Sequence, residues 1–208
     1  MKLYFLNINN TSLRTLGIIL LTLAFQNICY SQDSKEYQVK GKKGVLNCTE
    51  SKSKNRTIYS NVNNKKNLRE DYKTDDPTLE LAFLGFYINT YDSFLDAFRK
   101  TFSESRIEEL TKHKEKIQIS FRLNQDGEHL GMGFVLNYGS TITPDEILTL
   151  EENLLKMVSF MPLQKFEYKL LTSYSIRTDF DEIRRGDISR LKKKEVDQRE
   201  RAKLFVTE

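Results

Sequence analysis

Ile117-Gln118-Ile119-Ser120-Phe121-Arg122-Leu123-Asn124-Gln125-Asp126-Gly127 is the stretch that decides the fold. Apolar residues hold every second position from Ile117 to Leu123. A strand sends alternate side chains to opposite faces, so one face is apolar and the other polar. Asn124 to Gly127 then supplies a turn, because Asp126 and Gly127 tolerate the positive φ that tight hairpins require. The alternation resumes at Leu130, Met132, Phe134, Leu136 and Tyr138, with Gly131, Gly133 and Asn137 on the other face. The pattern predicts an antiparallel hairpin with one shared apolar face.

Downstream, Thr143-Pro144-Asp145-Glu146 carries a helix start: Thr143 at the N-cap, Pro144 at the first helical position, and Glu146 as the capping-box partner. Ile147, Leu150, Leu154, Val158 and Met161 follow at three- and four-residue steps, a stripe that can cover the hairpin's apolar face. Pro162 cannot continue the helix. Phe166, Tyr168, Leu170, Thr172, Tyr174 and Ile176 then alternate with polar residues and predict a closing strand.

Upstream, Asp92 is the expected N-cap of a helix with Phe94, Leu95, Phe98 and Phe102 on one face, an aromatic stripe read as core. Ile107 and Leu110 mark a further helical turn or two. Leu79 to Ile88 is apolar at both parities; its aromatic content and Gly85 favour a buried strand over a helix. Together these elements predict an α+β domain over residues 77–180: a small antiparallel sheet, hairpin plus closing strand, packed against two helices.

The flanks differ in composition. Residues 32–76 form a polar, lysine-rich arm with apolar islands at Tyr37/Val39, Val45/Leu46 and Ile58/Tyr59/Val62, expected to hold two short strands. Thr74-Asp75-Asp76-Pro77 marks the boundary with the domain. Residues 181–208 are crowded with mixed charge and predict a solvated helix or frayed tail. Residues 33–76 hold 11 basic and 7 acidic side chains, residues 77–180 hold 11 and 15, and residues 181–208 hold 9 and 7. A slightly acidic body therefore carries two mildly basic flanks.

At 208 residues the chain suits one domain with appendages. Lys2 and Arg14 precede the uncharged run Leu16 to Phe25, and a polar exit follows, which is a signal-peptide pattern over residues 1–31. The apolar run is far short of the roughly 20 residues that span a bilayer. Cleavage is expected between Ser31 and Gln32, the product being periplasmic or extracellular; lipid attachment at Cys29 is the alternative. Cys48 would then be the single cysteine of the mature chain, so no intramolecular disulfide is expected. Asn47-Cys48-Thr49 and Asn55-Arg56-Thr57 match the N-glycosylation pattern, which matters only in a eukaryotic secretory pathway.

The order helix, hairpin, helix, strand across Asp92 to Arg177 resembles the C-terminal domain of TonB-type energy transducers. The Ile117–Phe121 strand, the Asn124–Gly127 turn, the returning strand, the helix ending at Met161-Pro162 and the strand from Phe166 carry the likeness. A long proline-rich spacer, an uncleaved anchor and an aromatic-proline element after the helix are features of that family which this chain lacks, so the resemblance implies fold and not transduction. As a whole the chain resembles small exported Bacteroidetes proteins of unknown function.

No catalytic, cofactor or metal motif appears. Cys48 as a nucleophile with His113 or His129 as its base lacks any local signature. A His129/Glu128/Asp126 cluster is opposed by strand geometry, since adjacent strand residues point to opposite faces. The expected function is therefore that of an exported, non-enzymatic binding or accessory module, its partner a protein or cell-envelope component met at a sheet edge, with nucleic acid excluded by the compartment. One alternative is an anionic partner held by Lys42, Lys43, Lys65, Lys66, Lys192, Lys193 and Lys194; another is a hydrolase with an unrecognised site. Oligomeric state is left open by the sequence.

Overall fold

A computed structural model describes residues 34–64, 85–163 and 171–205, with side chains described through Arg201. The expected signal peptide with Cys29, the boundary at residues 76 and 77, Lys65, Lys66, residues 79–84 and the start of the closing strand at Phe166 lie outside the described residues.

The fold is α+β. The strands are β1 (Ser34–Gly41), β2 (Gly44–Ser51), β3 (Arg56–Asn61), β4 (Phe86–Ile88), β5 (Lys116–Asn124), β6 (His129–Asn137), β7 (Phe160–Pro162) and β8 (Leu171–Asp179). The helices are α1 (Tyr91–Thr101), α2 (Glu104–Lys112), α3 (Pro144–Met157), α4 (Phe180–Arg185) and α5 (Ser189–Phe205). Six strands form one antiparallel sheet in the order β1-β2-β3-β6-β5-β8, and β4 pairs with β7 in a second, two-stranded sheet.

The hairpin β5–β6 forms as its alternation dictates from Ile117 to Leu123 and from Met132 to Leu136. A bulge at Arg122/Leu123 sets His129 opposite Leu123, where the alternation calls for Leu130. Tyr138, expected on the apolar face, lies past the strand and is exposed. Ile117, Ile119, Phe121 and Leu123 are buried, and so are Met132, Phe134 and Leu136 facing them. Asn124 closes the turn as an Asx motif, its Oδ1 accepting from the backbone N–H groups of Asp126 and Glu128. Gly127 follows at φ +84°, where an added Cβ would collide with the Phe160 carbonyl oxygen. The capping box at Thr143 and Glu146 is present in full.

Four further expectations are corrected. The sheet has six strands, because β1–β3 of the N-terminal arm extend it: Ile58 pairs with Val135 and Tyr59 with Phe134. The arm thus holds three strands where two were expected, and β3 occupies the edge of β6 that the hairpin alone would leave open. The capped helix ends at Met157; Met161, placed on its buried stripe by spacing, is 43% exposed in β7. The physical cause is Pro162, which biases its predecessor to extended geometry and leaves Phe160–Pro162 free to pair with Phe86–Ile88. The first helix begins after Thr90, with Asp92 in its first turn and not at its cap.

The core lies between the six-stranded sheet and the helices. The aromatic stripe of α1 is buried: the Phe94 and Phe98 rings lie 5.1 Å apart, and Phe102 meets Phe180 edge-on at 5.2 Å. Each such ring contributes about 2 kcal/mol by leaving water. Phe180 and Ile183 of α4 and Leu191 of α5 are buried too, so the charged C-terminal segment adds to this core, and further along α5 the Gln198 side-chain oxygen accepts from the Phe86 N–H of β4 at 3.2 Å.

Candidate functional site

The buried apolar side chains of the large sheet share one parity: Leu46 and Cys48 on β2, the hairpin residues above, and Tyr174 and Ile176 on β8, with Thr178 beside them. The helices cover that face. The other face carries no helix among the described residues, and one row of paired residues crosses all six strands there: Gln38, Asn47, Ser60, Gly133, Ser120 and Ser175. Gln38 Nε2 donates to Asn47 Oδ1 at 3.1 Å, and the Ser120 and Ser175 hydroxyls lie 2.8 Å apart. Small side chains in the middle of this row leave a shallow trough of about 380 Å³ between Asn47, Ser60, Ser120 and Arg122.

A sheet of six strands ends on two edge strands, β1 and β8, and their backbones differ in what they offer. On β8, the Phe180 N–H bonds to the Glu115 carbonyl of the chain leading into β5, so Asp179, Arg177, Ser175 and Ser173 turn their backbone groups outward. Arg190 of α5 donates to the Arg177 carbonyl at 3.2 Å, and the Asp179 N–H donates to Glu182 at 3.2 Å. The C-terminal half of this edge is therefore occupied.

On β1 the same reasoning gives the opposite result. Val62 N–H donates to the Val45 carbonyl, which fixes Val45, Asn47 and Thr49 toward β3 and Leu46, Cys48 and Glu50 toward β1. The β1 residues opposite that second set, Val39, Tyr37 and Lys35, then bond to β2. Ser34, Glu36, Gln38 and Lys40 direct their N–H and C=O groups away from the sheet, and no described residue meets them. The side chains of Glu36, Gln38 and Lys40 lie on the bare face, while Tyr37 and Val39 lie on the helix face.

Beneath β1 the helix face is well packed. The Tyr37 hydroxyl donates to Glu50 Oε1 at 2.6 Å. The Cys48 thiol and then the Glu50 carboxylate push its phenol well above the ordinary tyrosine value. Burial pushes the Cys48 thiol up and raises Tyr59 to about 12. Cys48 is 1% exposed and a poor nucleophile, since only the thiolate attacks.

The described residues of the predicted basic set, Lys42, Lys43, Lys192, Lys193 and Lys194, do not converge. Lys42 and Lys43 form the β1–β2 turn, where the Lys42 N–H donates to Asp145 Oδ1 and Lys43 Nζ pairs with Glu152 at 2.6 Å, pinning the turn to α3. Lys192 and Lys193 are exposed on α5, beyond the other end of the strand order, and Lys194 lies over the Tyr174 ring at 4.7 Å. His113 is exposed at the end of α2. His129 packs its ring among Phe121 and Phe160, with Nε2 2.9 Å from the Val158 carbonyl, while Glu128 accepts from Asn124. Among the described residues no three His, Cys, Asp or Glu side chains are grouped to hold a metal, and no helix is long and apolar enough to cross a membrane.

Sequence reasoning missed the β1 edge. The available signal was the alternation Tyr37, Val39 against Glu36, Gln38, Lys40, shorter than that of β5 and broken at once by Gly41.

No protein-family model matches this chain, and no curated protein matches it. Among solved structures it is similar to a DUF5043 family protein from Bacteroides uniformis ATCC 8492, with a TM-score of 0.53 and 13% sequence identity over 69% of this chain and 90% of that one. At that identity the likeness is one of fold: this chain has an α+β architecture shared with a protein from Bacteroides.

Proposed function

We propose that this chain is a non-enzymatic binding module that takes up an extended peptide strand along β1. The observation that supports this reading is the outward ladder of Ser34, Glu36, Gln38 and Lys40, four residues whose backbone donors and acceptors meet no described partner. Main-chain hydrogen bonds supply affinity in strand addition, and alternate side chains supply specificity. The added strand would set one side of its residues beside Tyr37 and Val39 and the other beside Glu36, Gln38 and Lys40.

Export to the cell envelope belongs to the same proposal and rests on the Lys2, Arg14 and Leu16–Phe25 pattern. The TonB-type order of elements is a resemblance that carries no transducer role. Anion binding through the basic flanks is the weaker reading, since Lys43 is paired with Glu152 and Lys194 is stacked on Tyr174.

A library of extended octapeptides selected against the purified chain tests the proposal. Selected peptides are expected to slow amide hydrogen exchange at Glu36, Gln38 and Lys40, and to lose binding in Gln38→Pro, which deletes one outward N–H. Binders that leave those amides unprotected, or that ignore Gln38→Pro, would overturn it.

A further inference from the structure

We propose that the strand taken up by β1 is β1 of a second copy, paired antiparallel about a two-fold axis at Gln38, so that two six-stranded sheets become one of twelve strands. This rests on the reading of β1 as an open edge and names the partner of that edge.

The argument is one of register. Two copies of an edge strand related by a two-fold axis must run antiparallel, and their outward-facing residues must oppose each other. For β1 those residues are Ser34, Glu36, Gln38 and Lys40. With the axis at Gln38, Glu36 lies opposite the partner's Lys40, and Lys40 opposite the partner's Glu36. Both pairs sit on the bare face. On the helix face the same register sets Tyr37 against the partner's Val39 and Val39 against the partner's Tyr37, an aromatic paired with a β-branched residue twice over. Lys35 lies opposite the partner's Gly41, and the helix side of Gly41 is roofed by Asp145, whose Oδ1 stands 2.6 Å from where a Cβ would be. Glu36 and Lys40 thus each meet an opposite charge across the axis.

Other registers lose this. An axis at Tyr37 or at Val39 leaves no opposite-charge pair within the strand. An axis at Glu36 sets two glutamates face to face, and one at Lys40 sets two lysines face to face; like charges directly opposite are destabilising. The sequence of the strand is self-complementary in one alignment alone. Lysine and glutamate on an edge ordinarily discourage promiscuous pairing; here the same two residues attract each other in one alignment and repel their own kind in the alignments centred on Glu36 and Lys40.

The partner is also suited in shape. β1 ends the sheet, Gln38 and Lys40 are exposed, and the β1–β2 turn is held back against α3 by Asp145 and Glu152. Neighbouring strands of a continued sheet need only about 4.8 Å of lateral room.

Sedimentation equilibrium on the full chain tests the pairing, with circular dichroism to verify that each variant is folded. Wild type is expected to show a monomer–dimer equilibrium that weakens with salt, and Gln38→Pro to be monomeric. Glu36→Lys and Lys40→Glu should each weaken self-association by about tenfold or more, since each replaces two attractions with two repulsions. An equimolar mixture of Glu36→Lys and Lys40→Glu should dimerise again, because both lysines of the first variant then face glutamates of the second across the axis. A dimer indifferent to Gln38→Pro and to both charge reversals would overturn the proposal. A monomer whose Glu36, Gln38 and Lys40 amides are protected by the selected octapeptides would overturn the self-pairing and leave the open-edge reading intact. A monomer with no such protection would overturn both.

Discussion

Asn61 Nδ2 donates a 2.9 Å hydrogen bond to Glu151 Oε2, joining β3 of the N-terminal segment to the buried face of α3 across ninety residues of chain. Glu151 is 5% exposed, and burial raises its pKa above the ordinary glutamate value while the Asn61 bond pulls it partway back. A raised acid is stabilised in the fold when protonated. Its contribution is fully present below the unfolded value of about 4.5 and is lost as pH rises through the folded one. Glu151→Gln keeps an acceptor for Asn61 and removes the buried charge. The variant is expected to be about 1 kcal/mol more stable than wild type at pH 7, with the gap closing at pH 4. Urea midpoints at the two pH values check this; a gap of equal size at both would contradict it.

The direction of the β1 backbone makes a sharp pair of proline substitutions. Gln38 points its N–H out of the sheet and Val39 points its N–H at Leu46. Proline is tolerated on an edge strand where the N–H faces solvent and not where it serves the ladder. Val39→Pro should therefore cost about 2 kcal/mol more than Gln38→Pro, because it also strands an acceptor on β2. Denaturant unfolding of the two variants decides it, and equal costs would mean that the strand is turned the other way.

Arg106 ties α2 to α3 and to the loop leading into it. Its Nε donates to Glu146 at 2.8 Å, an Nη donates to the second Glu146 oxygen at 3.1 Å, and the Thr141 carbonyl accepts at 2.7 Å. Burial pushes the Glu146 carboxyl up, but the guanidinium beside it and the Thr143 N–H together hold it below the usual range. The same carboxylate closes the capping box of α3. Arg106→Lys preserves charge and loses the fork, so it should recover less than half of the roughly 2 kcal/mol lost in Arg106→Ala. Thermal melts of both variants give the comparison.

The hairpin and its capped helix were legible because their signals are local. Alternation from Ile117 to Leu123, the Asn124–Gly127 turn and the Thr143–Glu146 box each need no information from elsewhere in the chain. Strands β1 to β3 were hard to read because half of each faces the bare side of the sheet, where Asn47 and Ser60 carry no apolar signal. Their assignment depends on the pairing of Tyr59 with Phe134, which lies far along the chain. The short strand β7 was hidden for another reason: Met161 keeps helical spacing from Val158, and only its pairing with Tyr87 shows that Pro162 has already turned the chain extended. The open edge was out of reach until the strand order was known, because an edge is a property of topology.

Gly127 and Gly139 separate backbone strain from steric collision. Both hold positive φ, at +84° and +75°, but a Cβ on Gly127 would press into the Phe160 carbonyl while one on Gly139 meets nothing within 4 Å. Gly139→Ala should cost about 1 kcal/mol from the left-handed conformation alone. Gly127→Ala should cost at least about 2 kcal/mol more and displace β7, since the carbonyl it meets is backbone. Chemical denaturation gives the first difference, and chemical shift changes at Met161 and Tyr87 report the second.

His129 titrates against Glu151, and the opposition gives the last prediction its sign. Burial beside Phe121 and Phe160 lowers the His129 pKa, with the Val158 carbonyl offsetting part of that; Nδ1 meets no hydrogen-bond partner among the described residues. A depressed base stabilises the fold when neutral, so its contribution is present above the unfolded value of about 6.5 and is lost as pH falls through the folded one. Glu151 gains stability over a fall in pH that ends near the unfolded glutamate value of about 4.5. Wild type should therefore show a shallow pH profile in which the two partly cancel. Glu151→Gln should expose the acid loss due to His129 as pH falls below the unfolded histidine value of about 6.5. His129→Phe keeps the ring packing of the hairpin mouth, removes the titration and should leave stability rising toward about pH 4.5. Urea midpoints of both variants and their double mutant across roughly pH 4 to 8 check the assignment, and a double mutant that keeps the slope of either single variant would place the titrating group elsewhere.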